Sequence, residues 1–134
     1  MKKFITATII VILIYFVYQH FGGHQVSAPN LSQIQPNPNV SYKDGIYTGS
    51  IADAFYGNVE VQATISSGKI ASVNFLQYPS DRSTSRSINS QAMPYLQQEA
   101  IAVQSGQVNV VSGATDTSNA FVQSLTSALA QAQS

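Results

Sequence analysis

The alternation of apolar and polar stretches divides the chain into three parts. An apolar and aromatic run from Phe4 to Tyr18 follows Lys2 and Lys3, and the predicted segment extends to Phe21. This pattern is typical of an export segment, either retained as a transmembrane anchor or cleaved as a signal peptide, and we favour the anchor. Residues 22–41 are rich in Gly, Pro, Asn, Gln and Ser without an apolar period, which predicts a flexible linker. We expect residues 42–134 to form one domain outside the cytoplasm.

The first half of this domain has a period of two. A turn at Asp44-Gly45 precedes a short strand ending near Ile51, and a second turn spans residues 53–57. Two longer strands follow, joined by a turn at residues 66–69, and each has one apolar face. The apolar residues are Val59, Val61, Ala63 and Ile65 in one strand and Ala71, Val73 and Phe75 in the other. The pattern predicts an antiparallel meander that needs a cover on its apolar face.

The second half of the domain changes to helical spacing. Residues 80–89 are a polar stretch and predict a loop, after which apolar residues recur at helical spacing to about Gln104. Pro94 either begins this helix or bends it, and Gly106 ends it.

A second helix is predicted at the C-terminus. Residues 108–111 predict a short strand, and a last amphipathic helix begins near Thr117. Its apolar face contains Phe121, Val122, Leu125, Ala128, Leu129 and Ala132. The predicted fold class is therefore α+β: a small antiparallel sheet covered by two helices, preceded by the export helix and linker.

Composition restricts the chemistry of the domain. Charged residues are 9% of the chain and the formal net charge is zero, without a basic patch, which argues against nucleic acid as a partner. The chain has no Cys, and its two histidines, His20 and His24, lie beside the export segment. Disulfides, thiolate metal sites and imidazole-based triads are therefore excluded from the domain. We expect no metal site and no catalytic residue of the domain's own, so any chemistry depends on a cofactor, on carboxylates or on hydroxyls.

Residues 110–118 form the most informative stretch, because small and hydroxyl-bearing residues precede a helix there. Gly113 lets the backbone approach a ligand closely, and Ser112, Thr115, Thr117 and Ser118 offer hydroxyls. The free N–H groups at the start of a helix favour an anion. The stretch therefore fits a phosphate site, but the same pattern is also typical of an ordinary capped connection between a strand and a helix.

The sequence Ser112-Gly113-Ala114-Thr115, followed by Thr117-Ser118, resembles the signature of the FMN-binding domain family. This family includes the flavin-bearing subunits of sodium-translocating NADH:quinone reductase and many small exported proteins. The resemblance extends, in the family's order, to residues 44–50, 59–65 and 67–70 and to Gln104-Ser105. The family position three before Ser112 is commonly Asp in covalently flavinylated members and is Asn109 here. The glycine-rich loop of the respiratory subunits is replaced by residues 81–89, similar to the stand-alone branch.

The resemblance implies FMN as the cofactor, attached in many members by a separate flavin transferase to the threonine that corresponds to Thr115. It implies that Gly113 and Ala114 keep side chains away from the phosphate and that Ser112, Thr117 and Ser118 donate hydrogen bonds. It further implies cofactor contacts from Arg86, Ser87 and Asn89. The aromatic side chains of Phe55, Tyr56 and Tyr78 are candidates for stacking on the flavin ring, and an ordinary place in the core is the alternative for each.

The resulting hypothesis is an electron-relaying flavoprotein, tethered to the membrane or secreted, with a membrane redox protein as partner. Such a role is more typical of an electron-transfer protein than of a stand-alone enzyme. Two alternatives stay open: a noncovalent FMN carrier or reductase, which Asn109 favours, and an envelope interaction domain without flavin.

Overall fold

The computed structural model describes residues 40–133. The predictions for the export segment and for nearly all of the linker lie outside these residues. Within residues 40–133, no helix combines the length and the hydropathy that crossing a membrane requires.

Four strands and two helices follow one another along the described chain. They are β1 (Gly45–Thr48), β2 (Ala52–Asp53), β3 (Asn58–Ser66), β4 (Lys69–Gln77), α1 (Ser83–Val103) and α2 (Thr115–Ala132). Strand β3 is central, because β1, β2 and β4 all pair with it antiparallel. Helix α2 packs against β1, β2 and β3, and α1 packs against β4. The α+β prediction, a small antiparallel sheet with two helices, is confirmed.

The period-two pattern predicts β3 correctly and β4 only in part. Val59, Val61, Ala63 and Ile65 are all buried, as expected of one face of a strand. In β4 the register shifts at a bulge, because Ile65 faces Ile70 whereas Thr64 faces Ser72. The bulge leaves Ala71 exposed and buries Ile70 in its place, so the prediction that Ala71 shares a face with Val73 was wrong.

The core lies between the sheet and the helices. Phe121 of α2 is fully buried and stacks on Phe75 of β4, with ring centroids 5.2 Å apart. Leu125 of α2 and Leu96 of α1 are also fully buried. Burying each of these side chains stabilises the fold by about 1.5–3 kcal/mol, and the predicted apolar face of the last helix is confirmed at Phe121 and Leu125.

The chain breaks away from β3 between β1 and β2, and α2 fills this break. Gly49 donates its N–H to the Val61 carbonyl, but the N–H of Val61 has no strand partner there and donates to the hydroxyl of Ser124 on α2 at 3.0 Å. A Cβ added to Gly49 would overlap the Ser124 carbonyl, so glycine is required for this close approach. Ser124 is polar and yet fully buried, because it completes the hydrogen bonding of β3.

Helix α1 begins earlier than expected. It starts at Ser83, so most of the stretch predicted as a loop is helical, and Pro94 lies inside the helix. Of the two alternatives for Pro94, the earlier start is therefore the one observed. The early turns were missed because they consist mainly of Ser, Thr and Asn, which have modest helix propensity and carry no apolar period.

The cap of α1 and the segment after it differ from the predictions. The last helical residue is Val103, close to the predicted end at about Gln104, but the residue that caps the helix is Gln104, which adopts a left-handed conformation (φ 54°), and not Gly106. The Gln104 side chain exchanges hydrogen bonds with the backbone of Ile70, at 2.7 and 3.0 Å, and so takes the place of a strand partner for β4. Residues 108–111 form no strand, and α2 begins at Thr115, two residues before the predicted start.

We expect Ser124→Ala to lower the free energy of unfolding by about 1–3 kcal/mol, because it leaves the buried N–H of Val61 without an acceptor. Urea denaturation measures the change. Gln123→Ala, one residue earlier on the exposed face of α2, is the matched control and is expected to change stability by less than about 0.5 kcal/mol. Equal stabilities of the two variants would show that the Ser124 hydrogen bond contributes nothing measurable.

Candidate functional site

A tight turn at residues 111–114 leads into α2. The N–H of Ala114 donates to the Val111 carbonyl at 3.0 Å, and Gly113 adopts a left-handed conformation (φ 82°) that favours glycine. Apart from Gly113 and its two chain neighbours, no atom of residues 40–133 lies within 4 Å of the position that a Cβ on Gly113 would occupy. The backbone at Gly113 therefore borders open space, as the approach of a phosphate would require.

The first turn of α2 lacks a side-chain cap. The N-cap residue is Ala114, and no side chain accepts a hydrogen bond from the N–H groups at this end of the helix. The ordinary capped connection that the sequence left open is therefore not formed, since it needs a Ser, Thr, Asp or Asn oxygen at the N-cap. The positive end of the helix dipole and the first N–H groups remain available to an anion.

Two adjoining clefts border this helix start. The smaller cleft, about 90 Å³, lies between α1, the start of α2 and the turn before β3. The larger, about 360 Å³, lies between α1 and residues 111–114. The two clefts share Ile88, Gly113 and Ala114 in their linings. Thr115 is exposed and lines the smaller cleft, and Ser112 is exposed and lines the larger one.

Charge is sparse at the clefts. Asp116, in the first turn of α2, is the one charged residue among those of residues 40–133 that line them. The guanidinium of Arg82 lies over the Tyr56 ring at 4.9 Å, and Arg86 donates from Nη1 to the Ser80 carbonyl at 2.7 Å. Neither arginine is part of the cleft linings, so a cofactor contact from Arg86 stays a prediction.

Asn89 connects three segments that surround the smaller cleft. Its side chain is buried, donates from Nδ2 to the Pro79 carbonyl at 2.8 Å and accepts from the Thr117 hydroxyl at Oδ1 at 2.9 Å. These bonds join α1 to the start of the β4–α1 loop and to the first turn of α2. Asn89 and Thr117 both line the cleft. Because their side chains are hydrogen-bonded to each other, their contact with a ligand stays a prediction.

The Ser118 hydroxyl holds the turn at residues 111–114 together. It donates to the Ala114 carbonyl at 2.8 Å and accepts from the Val111 N–H at 3.0 Å, and the side chain is fully buried. The hydroxyl-rich stretch therefore divides in two. Thr117 and Ser118 point inward and shape the turn, whereas Ser112 and Thr115 face the clefts.

Of the two remaining predicted residues, Ser87 and Tyr78, only Ser87 lines a cleft. Ser87 is exposed and lines the larger cleft. Tyr78 is partly exposed, makes an edge contact with Phe75 and lies outside both linings, so its stacking on a cofactor stays a prediction. Gln91 and Tyr95 line the larger cleft with Ile88 and were not among the predicted site residues. The spacing of Ile88, Gln91 and Tyr95 along one helix face was the available signal.

Asn109, the departure from the family pattern, has a specific partner. Its side-chain amide donates to Oε1 of Glu99 on α1 at 2.6 Å, and its backbone N–H donates to the same oxygen at 3.2 Å. The second carboxylate oxygen, Glu99 Oε2, is buried without a hydrogen-bond partner in the described residues. An amide suits this position because it donates to Glu99, which an ionised carboxylate at 109 could not do.

Comparisons with known proteins now assign the domain. The family model for the FMN-binding domain matches residues 55–130, more than half of the chain. A search of curated proteins gave no significant match. A crystal structure of the CPE2226 protein from Clostridium perfringens is similar in fold, with a TM-score of 0.57 and 23% sequence identity over 68% of this chain and 88% of that one.

The match to this family model shows that residues 55–130 are part of a flavoprotein domain. The chain belongs to the FMN-binding domain family, and FMN is its cofactor. The residues present fit the group, because the open backbone at Gly113 and the uncapped start of α2 accommodate a phosphate, with the larger cleft beside them. Family membership favours the electron relay and the noncovalent FMN carrier or reductase over an envelope interaction domain without flavin.

We expect Asn89→Ala to lower the free energy of unfolding by about 2–3 kcal/mol, because the Pro79 carbonyl and the Thr117 hydroxyl each lose a buried partner. Urea denaturation measures the loss. Gln98→Ala, an exposed residue on the same helix, serves as the control and is expected to have little effect. A loss no larger than the control's would contradict a structural role for Asn89 in joining α1 to α2.

Proposed function

We propose that this chain is an exported flavoprotein that relays electrons outside the cytoplasm, with FMN joined through its phosphate to the hydroxyl of Thr115. One observation carries the proposal: Thr115 is the first residue of α2, is exposed and lines a cleft at an uncapped helix start. When bound, FMN supplies the redox chemistry, and the protein holds and orients it.

The charges at the site favour a covalent link over a bound free phosphate. The free phosphate of FMN is a monoester with a charge of about −1.5 to −2 near neutral pH, whereas a phosphodiester carries a single negative charge. Asp116 adjoins Thr115, and the described residues that line the clefts include no cation to balance either group. Forming the ester therefore reduces the repulsion from Asp116, and the bond replaces the affinity that a cation would give.

The proposed location gives the bond a further purpose. The sequence of residues 1–21 is typical of an export segment, so the domain would lie where a released cofactor is lost by dilution. A dissociable cofactor occupies its site only while its concentration exceeds the dissociation constant, and a covalent bond removes this dependence. A flavin transferase and a membrane redox protein are the partners that this role requires. The transferase would move the FMN phosphoryl group from a flavin dinucleotide to the Thr115 hydroxyl: the bond between the two phosphates breaks, the nucleoside monophosphate leaves, and the hydroxyl proton is released.

A relay also suits the residues available. Residues 42–134 contain neither His nor Cys, so imidazole proton transfer and thiol chemistry are absent from the domain. Passing electrons through a bound flavin needs neither of them.

We expect protein co-produced with a flavin transferase to keep its flavin after denaturation, and Thr115→Ala to abolish this retention because it removes the ester oxygen. Fluorescence of the denatured chain on a gel and mass spectrometry of the peptide containing Thr115 are the measurements. Ser112→Ala is the control, since this exposed hydroxyl adjoins the same turn and should leave retention unchanged. Undiminished retention in Thr115→Ala would refute the assignment of Thr115.

The second candidate function is a noncovalent FMN carrier or reductase, which Asn109 favours. The hydrogen bond from Asn109 to Glu99 shows that an amide is accommodated where flavinylated relatives commonly have Asp. In this case the flavin would leave on denaturation of protein made in its own host. Oxidation of NAD(P)H without a partner protein would distinguish a reductase from a carrier.

We expect Asn109→Asp to lower the free energy of unfolding by about 1–2 kcal/mol at pH 7, because it replaces a hydrogen bond by a contact between two carboxylates. The double variant Asn109→Asp with Glu99→Gln should recover most of the loss, since the new amide can donate to the new carboxylate. Urea denaturation of the four proteins gives the coupling as a double-mutant cycle.

The same four proteins test recognition by the transferase. If an acidic residue at position 109 is required, the double variant retains more flavin covalently than the wild-type protein. Equal retention would show that Asn109 is no obstacle and would remove the reason for the noncovalent alternative.

A further inference from the structure

We infer that the ring system of FMN lies in the larger cleft, with one face against the ring of Tyr95, while the phosphate lies at Gly113 and Thr115. The inference rests on the proposed placement of the phosphate. It adds a ring-binding surface formed by Ile88, Gln91 and Tyr95 of α1 and by Val111 and Ser112 of the turn.

Volume distinguishes the two clefts. Small-molecule sites typically enclose about 300–1,000 Å³. The smaller cleft, about 90 Å³, falls well below this range, whereas the larger one, about 360 Å³, lies within it. The smaller cleft has room for the phosphate end alone, and the tricyclic ring must lie in the other.

The two clefts meet at Gly113, where the lack of a side chain leaves room for the sugar chain of FMN. Gly113 lines both of them and has open space where its side chain would otherwise project. A phosphate at Thr115 can therefore continue through its sugar chain past Gly113 into the larger cleft. A side chain at Gly113 would project into this path.

The aromatic residues near the site differ in whether their rings are already in contact with another group. Tyr56 has the Arg82 guanidinium over its ring and Phe55 at its edge, with centroids 4.7 Å apart, and Tyr78 contacts Phe75. Tyr95 is 53% exposed and has no ring or cation partner within residues 40–133. It is therefore the lining aromatic whose face is free to stack on a planar ligand.

Gln91 lies one helical turn from Tyr95 on the same face of α1 and lines the same cleft. A side-chain amide both donates and accepts hydrogen bonds, which matches the alternating carbonyl and N–H groups at the pyrimidine edge of a flavin. The larger cleft thus offers a stacking face and a complementary polar group together.

The test compares the fluorescence of bound flavin in the wild-type protein and in Tyr95→Phe, Tyr56→Phe and Tyr78→Phe, each loaded with FMN and normalised to its fluorescence after denaturation. A tyrosine in contact with an excited flavin quenches it by giving up one electron, which then returns. We expect Tyr95→Phe to raise the emission and lifetime of the folded protein several-fold, since phenylalanine keeps the stacking surface but does not donate the electron. Tyr56 and Tyr78 are the competing stacking positions, and the inference replaces them with Tyr95 because their rings already contact Arg82 and Phe75. The Tyr56 and Tyr78 variants should therefore match the wild-type protein.

A rise confined to Tyr56→Phe or Tyr78→Phe, or no rise in any variant, would overturn the assignment of the larger cleft while leaving FMN binding intact. A wild-type protein that holds no flavin would instead overturn the proposed function together with this inference. Flavin absorbance of the loaded proteins separates the two failures before any fluorescence is compared.

Discussion

The packing of α2 against the sheet is the interaction on which the rest of the structure depends. Phe121 and Leu125 bury one face of the helix, and Gly49 allows it to approach the break between β1 and β2. Ser124 then completes the hydrogen bonding of β3 at that break. Because an 18-residue helix is rigid over its length, fixing its middle also fixes where its first turn lies. The position of Thr115 is therefore a consequence of the core.

At the hydroxyl-rich start of α2, some residues stabilise the fold and others border the clefts. A helical turn of 3.6 residues directs Thr117 and Ser118 inward while Thr115 and Asp116 stay exposed. Ser118 fastens the turn at Ala114, and Thr117 bonds to Asn89 of α1. Similar side chains in one short stretch thus hold the turn and border the clefts, and the helix start remains uncapped because none of them occupies the N-cap.

Strong periodicity made much of the fold predictable. The alternation in β3 and the apolar face of α2 follow from local patterns, since each element buries one face. The bulge at Ile65 and Ile70 was not predictable, because it depends on the pairing of two strands. The early start of α1 carried no apolar signal, and the end at Gln104 depends on a bond to Ile70, which is distant in sequence. For the site, the turn at Gly113 could be located from the sequence. Which hydroxyls point inward, and that the ring of Tyr95 has a free face, could not be predicted, because both depend on how the two helices pack.

The exposure of the larger cleft bears on the kind of flavoprotein that this domain can be. An enzyme that protects a reactive cofactor from water encloses it, whereas transfer between proteins requires that part of the ring stay within reach of a partner. Tyr95 and Ile88 are both exposed in part, so a ring lying against them would keep an accessible edge. An open cleft alone would retain a cofactor poorly, and a link to Thr115 would hold the flavin without enclosing it. The open larger cleft and the proposed bond therefore depend on each other. The bond would keep the flavin attached although the cleft does not enclose it, and the exposed ring edge would let a partner protein exchange electrons with it.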